Sequence, residues 1–254
     1  MRTVLLIGMG AGDPDYMTVQ AIAALNRADV LFVLDKAGEQ QDLIALRREI
    51  RDRFVEGEPP RLAAVTDPPR GRGADAAAQR AAVAEWRSLR SELVAGLIAG
   101  ELADTEIGAF LVWGDPSLYD GMIEMLGQVA ERGEVAFDLE VVPGISALAA
   151  LTARHRIPLN RSGGAVQVTT GRRLAAGLPP GVDDIAVMLD GDLAFKGVDE
   201  DGVEIYWGAY LGTPDEILIA GPLRAVRDEI ERVRREARAR KGWMFDTYLL
   251  RRAR

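Results

Sequence analysis

The sequence has no cysteine and one histidine, His155, among its 254 residues. The absence of cysteine excludes disulfides, thiolate-held zinc and a cysteine nucleophile, and a single histidine excludes metal sites built from several imidazoles. Magnesium held by carboxylates stays open on composition alone. We predict no metal site.

Long apolar runs are also missing. No run reaches the roughly 18 residues that a membrane-spanning helix needs. The N-terminus enters a strand-like TVLLIG directly, without the pattern of a signal peptide. We therefore predict a cytoplasmic protein with no membrane partner.

Basic residues are too few to balance the acids. Lysine and arginine number 31 against 39 aspartates and glutamates, which gives a formal net charge of −8. Because binding to nucleic-acid phosphates demands a basic face, we predict no nucleic-acid partner. An anionic ligand would have to meet a local cluster of arginines.

What is present is an alternation of apolar strands and amphipathic helices. TVLLIG, MTVQAIAALNRA and DVLFVLD have the patterns of a strand, a helix and a strand, which together make a βαβ opening. Helical patterns over 42–54 and 75–100 continue the series, with further strands between and after them. This order is typical of an α/β domain with a largely parallel sheet.

The last third contains strand after strand, which predicts a mixed sheet. The segments are AVQVTTG, DIAVMLDG, VEIYWGAYLG, EILIAGPL and WMFDTYLL. A charged helix over 223–241 has its arginines and acids at helical spacings, which indicates a solvated face. We predict an α/β protein with an N-terminal domain over residues 1–117 and a C-terminal domain over residues 118–254.

Three turns share one pattern, in which an apolar strand is followed by small residues or proline and then a helix: IGMGAGDP, VWGDPSLYDG and VVPGISALAA. Glycine lets a ligand approach the backbone closely, and ligands of open α/β sheets bind at the carboxyl ends of strands. Each turn alone is equally well explained as a tight connection. Three together indicate one ligand cleft.

The first turn resembles the dinucleotide motif G-x-G-x-x-G, but Asp13 stands where the third glycine would be. Asp13 precedes Pro14 at a predicted helix start, where its carboxylate would occupy the place of an anion. Together with Asp15 it would compete with a pyrophosphate. Asp115 also precedes a proline, and such acids favour a cationic or polar ligand without phosphate.

These motifs resemble those of the tetrapyrrole methylases, S-adenosylmethionine-dependent enzymes of sirohaem and cobalamin synthesis. The resemblance runs from end to end in the expected order, through IGMGAGDPDYMT, FLVWGDPSLYDG, EVVPGISALAALTARHRIPLNR, VQVTTG, IAVMLDG and EILIAGPL. Two positions depart from the family pattern. Ala11 replaces a proline in the first turn, and Trp113 replaces the glycine before G-D-P.

The resemblance implies the family's fold, two α/β domains with the cofactor cleft between them. It also implies S-adenosylmethionine as cofactor and S-adenosylhomocysteine as product; the cofactor carries a sulfonium and no phosphate, which agrees with acid-bearing turns. Taken alone, a residue such as Met188 is better explained as core packing. The cofactor-binding residues that the resemblance implies are Ala11, Trp113, Gly114, Asp115, Leu118, Ser146, Ala147, Met188, Tyr210 and Ala220.

Within the family, the segment between Asp35 and Ile107 and the YWGAYLGTPDEILIAGPL ending most resemble the member that methylates C1 of precorrin-5 and releases acetate. This tetrapyrrole substrate carries several carboxylates, for which bidentate arginines are suited. We predict that they are bound by Arg154, Arg156, Arg161, Arg172 and Arg173. His155 is predicted to be a surface histidine, and the loop 67–74 either folds over the substrate or is a linker.

Methyl transfer to carbon requires alignment of the reactants and no covalent protein nucleophile. Loss of acetate requires a base that activates water. Asp35, at a strand end that faces the expected cleft, is the first candidate for proton transfer, and Tyr119 is the second. For each, a capping or solvated group is the structural alternative.

Three other functions stay open. The chain could be a methylase of the same pathway that acts at a different ring carbon, a non-catalytic module that binds a tetrapyrrole, or a nicotinamide-dependent reductase. The last would use Asp35 to bind a ribose, but it lacks the third glycine. Related enzymes are usually dimers, so the resemblance implies a homodimer, although no residue pattern fixes the oligomeric state.

Overall fold

The computed structural model describes residues 1–35, 41–69, 71, 74–178, 181–199 and 201–252. Its contacts divide the chain into two compact units, residues 1–10 with 14–145 and residues 11–13 with 146–254. No helix in the described part of the chain is long and apolar enough to cross a membrane. Residues 70, 72 and 73 of the predicted loop 67–74 lie outside the described residues, so the role of that loop stays a prediction.

The described residues of the first unit form a five-stranded parallel sheet in the order β3-β2-β4-β1-β5. Its elements are β1 (Arg2–Gly8), α1 (Val19–Leu25), β2 (Val30–Asp35), α2 (Gln41–Phe54), β3 (Arg61–Thr66), α3 (Ala76–Glu101), β4 (Ile107–Val112), α4 (Met122–Arg132) and β5 (Phe137–Val142). Parallel neighbours require a crossover connection, and here helices supply each one. All the strand carboxyl ends therefore lie at one edge.

Helices cover both faces of this sheet. Leu5 and Ile7 of β1 face one way, into a core that α1 and α2 complete. Val4 and Leu6 face the other way, into a core completed by α3 and α4. Because both faces of β1 are buried, its sequence is a continuous apolar run rather than an alternating one.

The second unit contains a mixed sheet, as predicted, in the order β6-β7-β10-β8-β9. Its elements are α5 (Ala147–His155), β6 (Val166–Thr170), α6 (Gly171–Leu174), β7 (Asp184–Met188), β8 (Val203–Ala209), β9 (Ile217–Pro222), α7 (Leu223–Lys241) and β10 (Asp246–Arg252). β6 and β7 are parallel, and β10 runs antiparallel to both β7 and β8. The carboxyl ends of β6, β7 and β8 therefore lie at the same edge.

The first unit extends beyond residue 117, the predicted end of the N-terminal domain. β5 pairs with β1 from Arg2 and Phe137 to Ile7 and Val142. The chain therefore returns to the first sheet after α4, and the division falls after Ile145. The boundary predicted from local patterns is too early, because pairing between distant segments leaves no local mark in the sequence.

The first helix begins later than predicted. Asp13 is followed by a 3-10 turn over Pro14–Tyr16, and α1 begins at Val19. Thr18 caps α1, because its Oγ accepts a hydrogen bond from the Ala21 N–H at 3.0 Å. Asp13 therefore precedes a short 3-10 helix, and α1 begins two residues after the predicted Met17.

A buried carboxylate joins distant parts of the second unit. Asp184 accepts hydrogen bonds from Arg251 Nε at 2.6 Å and from the Arg161 N–H at 3.2 Å. Burial raises the pKa of Asp184, but the bonds from Arg251 and Arg161 outweigh burial, and the pKa lies below its ordinary value. Arg161 also donates to the Arg252 carbonyl at 2.9 Å. A predicted substrate-binding arginine thus has a structural role.

We expect Asp184→Asn to lower the free energy of unfolding by about 3–5 kcal/mol, because it leaves buried arginine charges without their carboxylate. Urea denaturation measures the change. Asp183→Asn is the matched control: the Asp183 side chain is 55% exposed and lies 3.7 Å from Arg161 Nη2, so its loss costs at most about 1 kcal/mol. Equal losses for the two variants would show that the buried pair is not an anchor.

Candidate functional site

The three glycine turns meet at the carboxyl edge of the first sheet, where they follow β1, β4 and β5. The Gly10 N–H donates to the Gly114 carbonyl at 3.2 Å, and the Gly114 N–H donates to the Gly10 carbonyl at 2.8 Å. These two bonds join the first turn to the second. The turns are neighbours, as their sequence pattern indicated.

No side chain fits where the backbones of the turns touch. A Cβ atom on Gly144 would lie 2.1 Å from the Gly114 carbonyl oxygen, and a Cβ atom on Gly8 would lie 2.6 Å from the Gly144 nitrogen. Gly114 also has a φ of 69°, in the left-handed region that favours glycine. Packing alone therefore requires these glycines, and a ligand at this edge would meet backbone atoms.

Asp115 ties the second turn to the third. One of its carboxylate oxygens accepts a hydrogen bond from the Gly144 N–H at 2.8 Å, and the other accepts from the Ser117 N–H at 2.9 Å and from the Ser117 hydroxyl. Burial raises the pKa of Asp115, but these hydrogen bonds outweigh burial and lower it. The ionised carboxylate is satisfied inside the first unit, which differs from the expectation that it attracts a cationic ligand.

The charge of Asp15 is compensated too. Its carboxylate forms an ion pair with Arg53 of α2. From the sequence, Asp15 was expected to compete with a pyrophosphate at the first turn. Because Arg53 offsets this charge, that argument against a dinucleotide is weaker than the sequence suggested.

Other predicted residues of the first unit lie at the same edge of its sheet. Asp35 ends β2 and is half-buried. Trp113 follows β4 and packs, half-buried, against the core beneath α1 and α2. The Leu118 N–H closes the second turn on the Asp115 carbonyl at 3.1 Å. Tyr119 is 45% exposed and has a φ of 57°, so its backbone is strained as well as accessible.

Two predicted cofactor residues of the second unit lie at the carboxyl edge of its sheet, Met188 at the end of β7 and Tyr210 just after β8. The Tyr210 side chain is fully buried, and its hydroxyl donates to the Trp243 carbonyl at 2.6 Å. Burial raises its pKa. Tyr210 is thus a core residue, and its backbone is bonded as well, because its N–H donates to the Phe245 carbonyl at 2.9 Å and its carbonyl accepts from the Thr213 N–H and hydroxyl. Ala220 is exposed in β9, an outer strand of this sheet.

The remaining predicted cofactor residues have structural positions. Ser146 caps α5, because its Oγ accepts a hydrogen bond from the Ala149 N–H at 3.2 Å. Ala147 is the first residue of α5. Ala11 is 1% exposed. A small side chain suits the Ala11 position, which explains how an alanine replaces the family's proline there.

The predicted substrate-binding arginines fall into two groups. Arg154 pairs with Glu216, with Nε 2.6 Å from the carboxylate, and Arg161 pairs with Asp184. Arg156, Arg172 and Arg173 are exposed, and their side chains have no hydrogen bond or ion pair within the described residues. Arg172 and Arg173 follow β6 directly, at the edge that Met188 shares.

His155 is half-buried, not a surface residue. Its Nε2 lies 3.0 Å from the Trp207 carbonyl, and its ring meets Tyr206 edge-on at 5.6 Å. Burial lowers its pKa. The prediction of a surface histidine is therefore wrong, because the sequence does not show that α5 packs on β8.

The sequence reasoning missed the residue that orders the segment after Met188. Asp190 is 5% exposed, and one carboxylate oxygen accepts hydrogen bonds from the Tyr248 hydroxyl at 2.6 Å and from the Ala194 N–H at 2.7 Å. The Asp190-Gly191 pair is a turn signal that could have found it. Asp190 thus fixes the turn that follows one of the predicted cofactor residues.

Comparison with known proteins defines the class. The family model of the Tetrapyrrole (Corrin/Porphyrin) Methylases matches residues 3–227, and the chain belongs to this family. It is 47% identical over 251 residues to the precorrin-6A synthase (deacetylating) of Sinorhizobium sp, an alignment that covers 99% of this chain and 95% of the relative.

Solved structures agree with the family. A cobalamin synthesis related protein (CobF) from Corynebacterium diphtheriae has a TM-score of 0.86 and 36% identity, with all of both chains covered. A uroporphyrin-III C-methyl transferase from Thermus thermophilus, complexed with S-adenyl homocysteine, has a TM-score of 0.59 and 18% identity over 98% of this chain and 96% of its own. The second likeness shows the shared fold alone.

The close contact of the turns predicts a large effect of one methyl group. We expect Gly144→Ala to destabilise the chain by about 1–3 kcal/mol or more, because the backbone of the second turn must move. Urea denaturation measures the change in the free energy of unfolding. Gly127→Ala is the control, because its added Cβ meets nothing within 4 Å, and it should stabilise the chain by up to about 1 kcal/mol through helix propensity. A neutral Gly144→Ala would contradict the contact.

Proposed function

We propose that the chain is a precorrin-6A synthase (deacetylating), which transfers the methyl group of S-adenosylmethionine to C1 of precorrin-5 and releases acetate. The observation that carries the proposal is the 47% identity to such an enzyme over 99% of the chain. The fold match to CobF over the full length supports it.

We propose S-adenosylmethionine as the methyl donor. The cofactor has no phosphate, and the first-unit turns offer it glycine backbone, with the acids Asp15 and Asp115 already bonded to Arg53, Ser117 and Gly144. The proposed contacts are those that the family resemblance implies: Ala11, Trp113, Gly114, Asp115, Leu118, Ser146, Ala147, Met188, Tyr210 and Ala220. Tyr210 is included on the resemblance alone, because its side chain is buried and its backbone is bonded to Phe245 and Thr213.

The proposed reaction has two steps on the substrate, loss of the acetyl group and methylation of C1. Water adds to the carbonyl carbon of the acetyl group, and the bond from that carbon to the ring breaks, so that acetate leaves and the electron pair stays on the macrocycle. C1 then attacks the methyl carbon, and the sulfonium becomes the neutral thioether of S-adenosylhomocysteine. Alignment of the methyl group with C1 supplies much of the rate.

The water must lose a proton, and we propose Asp35 as the base. Asp35 is half-buried at the carboxyl edge of the first sheet. Tyr119, the second candidate, follows β4 at the same edge and is exposed. Both positions are at the edge where ligands of open parallel sheets bind.

We propose that Arg156, Arg172 and Arg173 bind carboxylate arms of the substrate. They are the predicted arginines whose charges no acid of the described residues offsets. Arg154 and Arg161 would have to leave Glu216 and Asp184 to do the same. The cytoplasmic location and the homodimer stay predictions of the sequence and its family resemblance.

The function is tested by incubation with precorrin-5 and S-adenosylmethionine. We expect a pigment that has gained one methyl group and lost its acetyl group, together with one equivalent each of acetate and S-adenosylhomocysteine. Mass spectrometry and an acetate assay measure these products. A methylated pigment that keeps its acetyl group would refute the deacetylating specificity, and an unmethylated pigment would refute the proposal as a whole.

Asp35→Asn should slow acetate release by about 100- to 10,000-fold, the usual contribution of a positioned base. Binding of S-adenosylhomocysteine, followed by calorimetry, should not change. Asp52→Asn is the control, because Asp52 is 63% exposed and pairs only locally with Arg51. Full activity of Asp35→Asn, with the loss found in Tyr119→Phe instead, would move the role to the tyrosine.

A further inference from the structure

The carboxyl halves of two neighbouring strands in the first unit, β2 and β4, are not paired with each other, and we call the gap between them the crevice. β2 and β4 pair from Val30 and Gly108 only as far as Phe32 and Phe110. Beyond that point, β2 continues to pair with β3 through Asp35, and β4 continues to pair with β1 through Val112. The facing edges of β2 and β4 are therefore unpaired near their carboxyl ends.

The crevice coincides with a reversal of strand order, because β2 is followed by β3 on one side of it and β4 is followed by β5 on the other. The chain leaves β2 for α2, which packs on the same face of the sheet as Leu5 and Ile7. It leaves β4 for α4, which packs on the opposite face with Val4 and Leu6. The connections from β2 and β4 thus lead away from each other on opposite faces, which defines a topological switch point, and ligands of open α/β sheets bind there.

One arginine enters this crevice from α2. Arg47 Nε donates to the Leu111 carbonyl of β4 at 3.3 Å, and its Nη1 donates to the Leu43 carbonyl at 3.4 Å. Phe110 is the last residue of β4 that pairs with β2, and Leu111 follows it. Arg47 therefore donates to a carbonyl that would accept a β2 N–H if the two strands stayed paired. Both hydrogen bonds are long.

The guanidinium of Arg47 has donors to spare. Burial lowers its pKa, while the nearby charge of Asp120 raises it, and an arginine stays protonated under any such shift. It forms no ion pair within 4.0 Å in the described part of the chain. Of its five N–H groups, two serve the carbonyls. No described residue accepts a hydrogen bond from Arg47 Nη2, and Arg47 is half-buried.

We infer that Arg47 binds a carboxylate arm of the tetrapyrrole substrate in the crevice between β2 and β4. The inference rests on the proposed function for the identity of the ligand. A planar guanidinium with free donors, in a half-buried setting, matches a carboxylate and gains from its charge. Asp35 ends the strand on the other side of the crevice, so the arm would be held beside the proposed base.

A purely structural role is the alternative, in which Arg47 only joins α2 to β4. The two roles differ in what a substitution changes. A structural arginine affects the stability of the fold and leaves affinity for a polycarboxylate alone. A ligand-binding arginine affects that affinity more than it affects folding.

The test uses uroporphyrin III, a stable tetrapyrrole with eight carboxylates, as the probe, with the full chain and quenching of porphyrin fluorescence as the readout. We expect Arg47→Gln to raise the Kd for uroporphyrin III by about 10- to 100-fold, the effect of losing charge-assisted hydrogen bonds. Arg47→Lys should give an intermediate Kd, because lysine keeps the positive charge but lacks the planar guanidinium that binds a carboxylate through two N–H donors. With precorrin-5, KM should rise and kcat should change little.

Arg48→Gln is the matched control, because Arg48 is the next residue of α2 and is exposed; its Kd for uroporphyrin III should equal that of the wild type. Calorimetry with S-adenosylhomocysteine checks that each variant is folded. Variants that bind this cofactor product and retain wild-type affinity for uroporphyrin III would overturn the inference, even if precorrin-5 is methylated. A selective loss in Arg47→Gln and Arg47→Lys would uphold it, even if precorrin-5 proves not to be the substrate.

Discussion

The contact between backbones at Gly8, Gly114 and Gly144 is the constraint on which the site depends. Three strand ends can meet at this distance only if no Cβ atom intervenes. Asp115 then fixes the contact, because its carboxylate accepts the Gly144 N–H. The edge of the first sheet where the proposed base and the crevice lie is thereby held in one arrangement. A ligand that reaches the turns themselves meets glycine backbone there.

The distribution of charge explains how an acidic chain can bind an acidic substrate. Many of its acids are used internally: Asp115 and Asp15 at the turns, and Asp184 and Asp190 in the second unit. Some arginines, by contrast, keep their donors available at strand carboxyl edges, with Arg47 in the first unit and Arg172 and Arg173 in the second. The negative net charge of the chain therefore does not describe the local charge at the proposed substrate-binding arginines.

The regular elements were predictable from the sequence because each rests on local information. Continuous apolar runs such as VLLI predicted the buried parallel strands, and apolar residues at a 3.6-residue period predicted the helices between them. The mixed second sheet and the family followed from the order of segments and turns. The short α6 and the 3-10 turn at Pro14–Tyr16 were missed, because one or two turns of helix carry too few residues to show a period.

The sequence could not show partners that are distant along the chain. The pairing of β5 with β1 moved the unit boundary past residue 117, and the partnership of Arg161 with Asp184 and of His155 with Trp207 gave these residues structural positions. The burial of Tyr210 has the same cause. Arg47 was overlooked for a related reason, since nothing local in α2 shows that β2 and β4 stop pairing beside it.

The most direct test of the central claim, that the glycine turns receive a phosphate-free adenosyl cofactor, is a crystal structure with S-adenosylhomocysteine bound. We expect its electron density against the backbone of the first two turns, beside Gly10 and Gly114. Density for S-adenosylhomocysteine away from these turns, or an adenine dinucleotide bound in them instead, would contradict the claim.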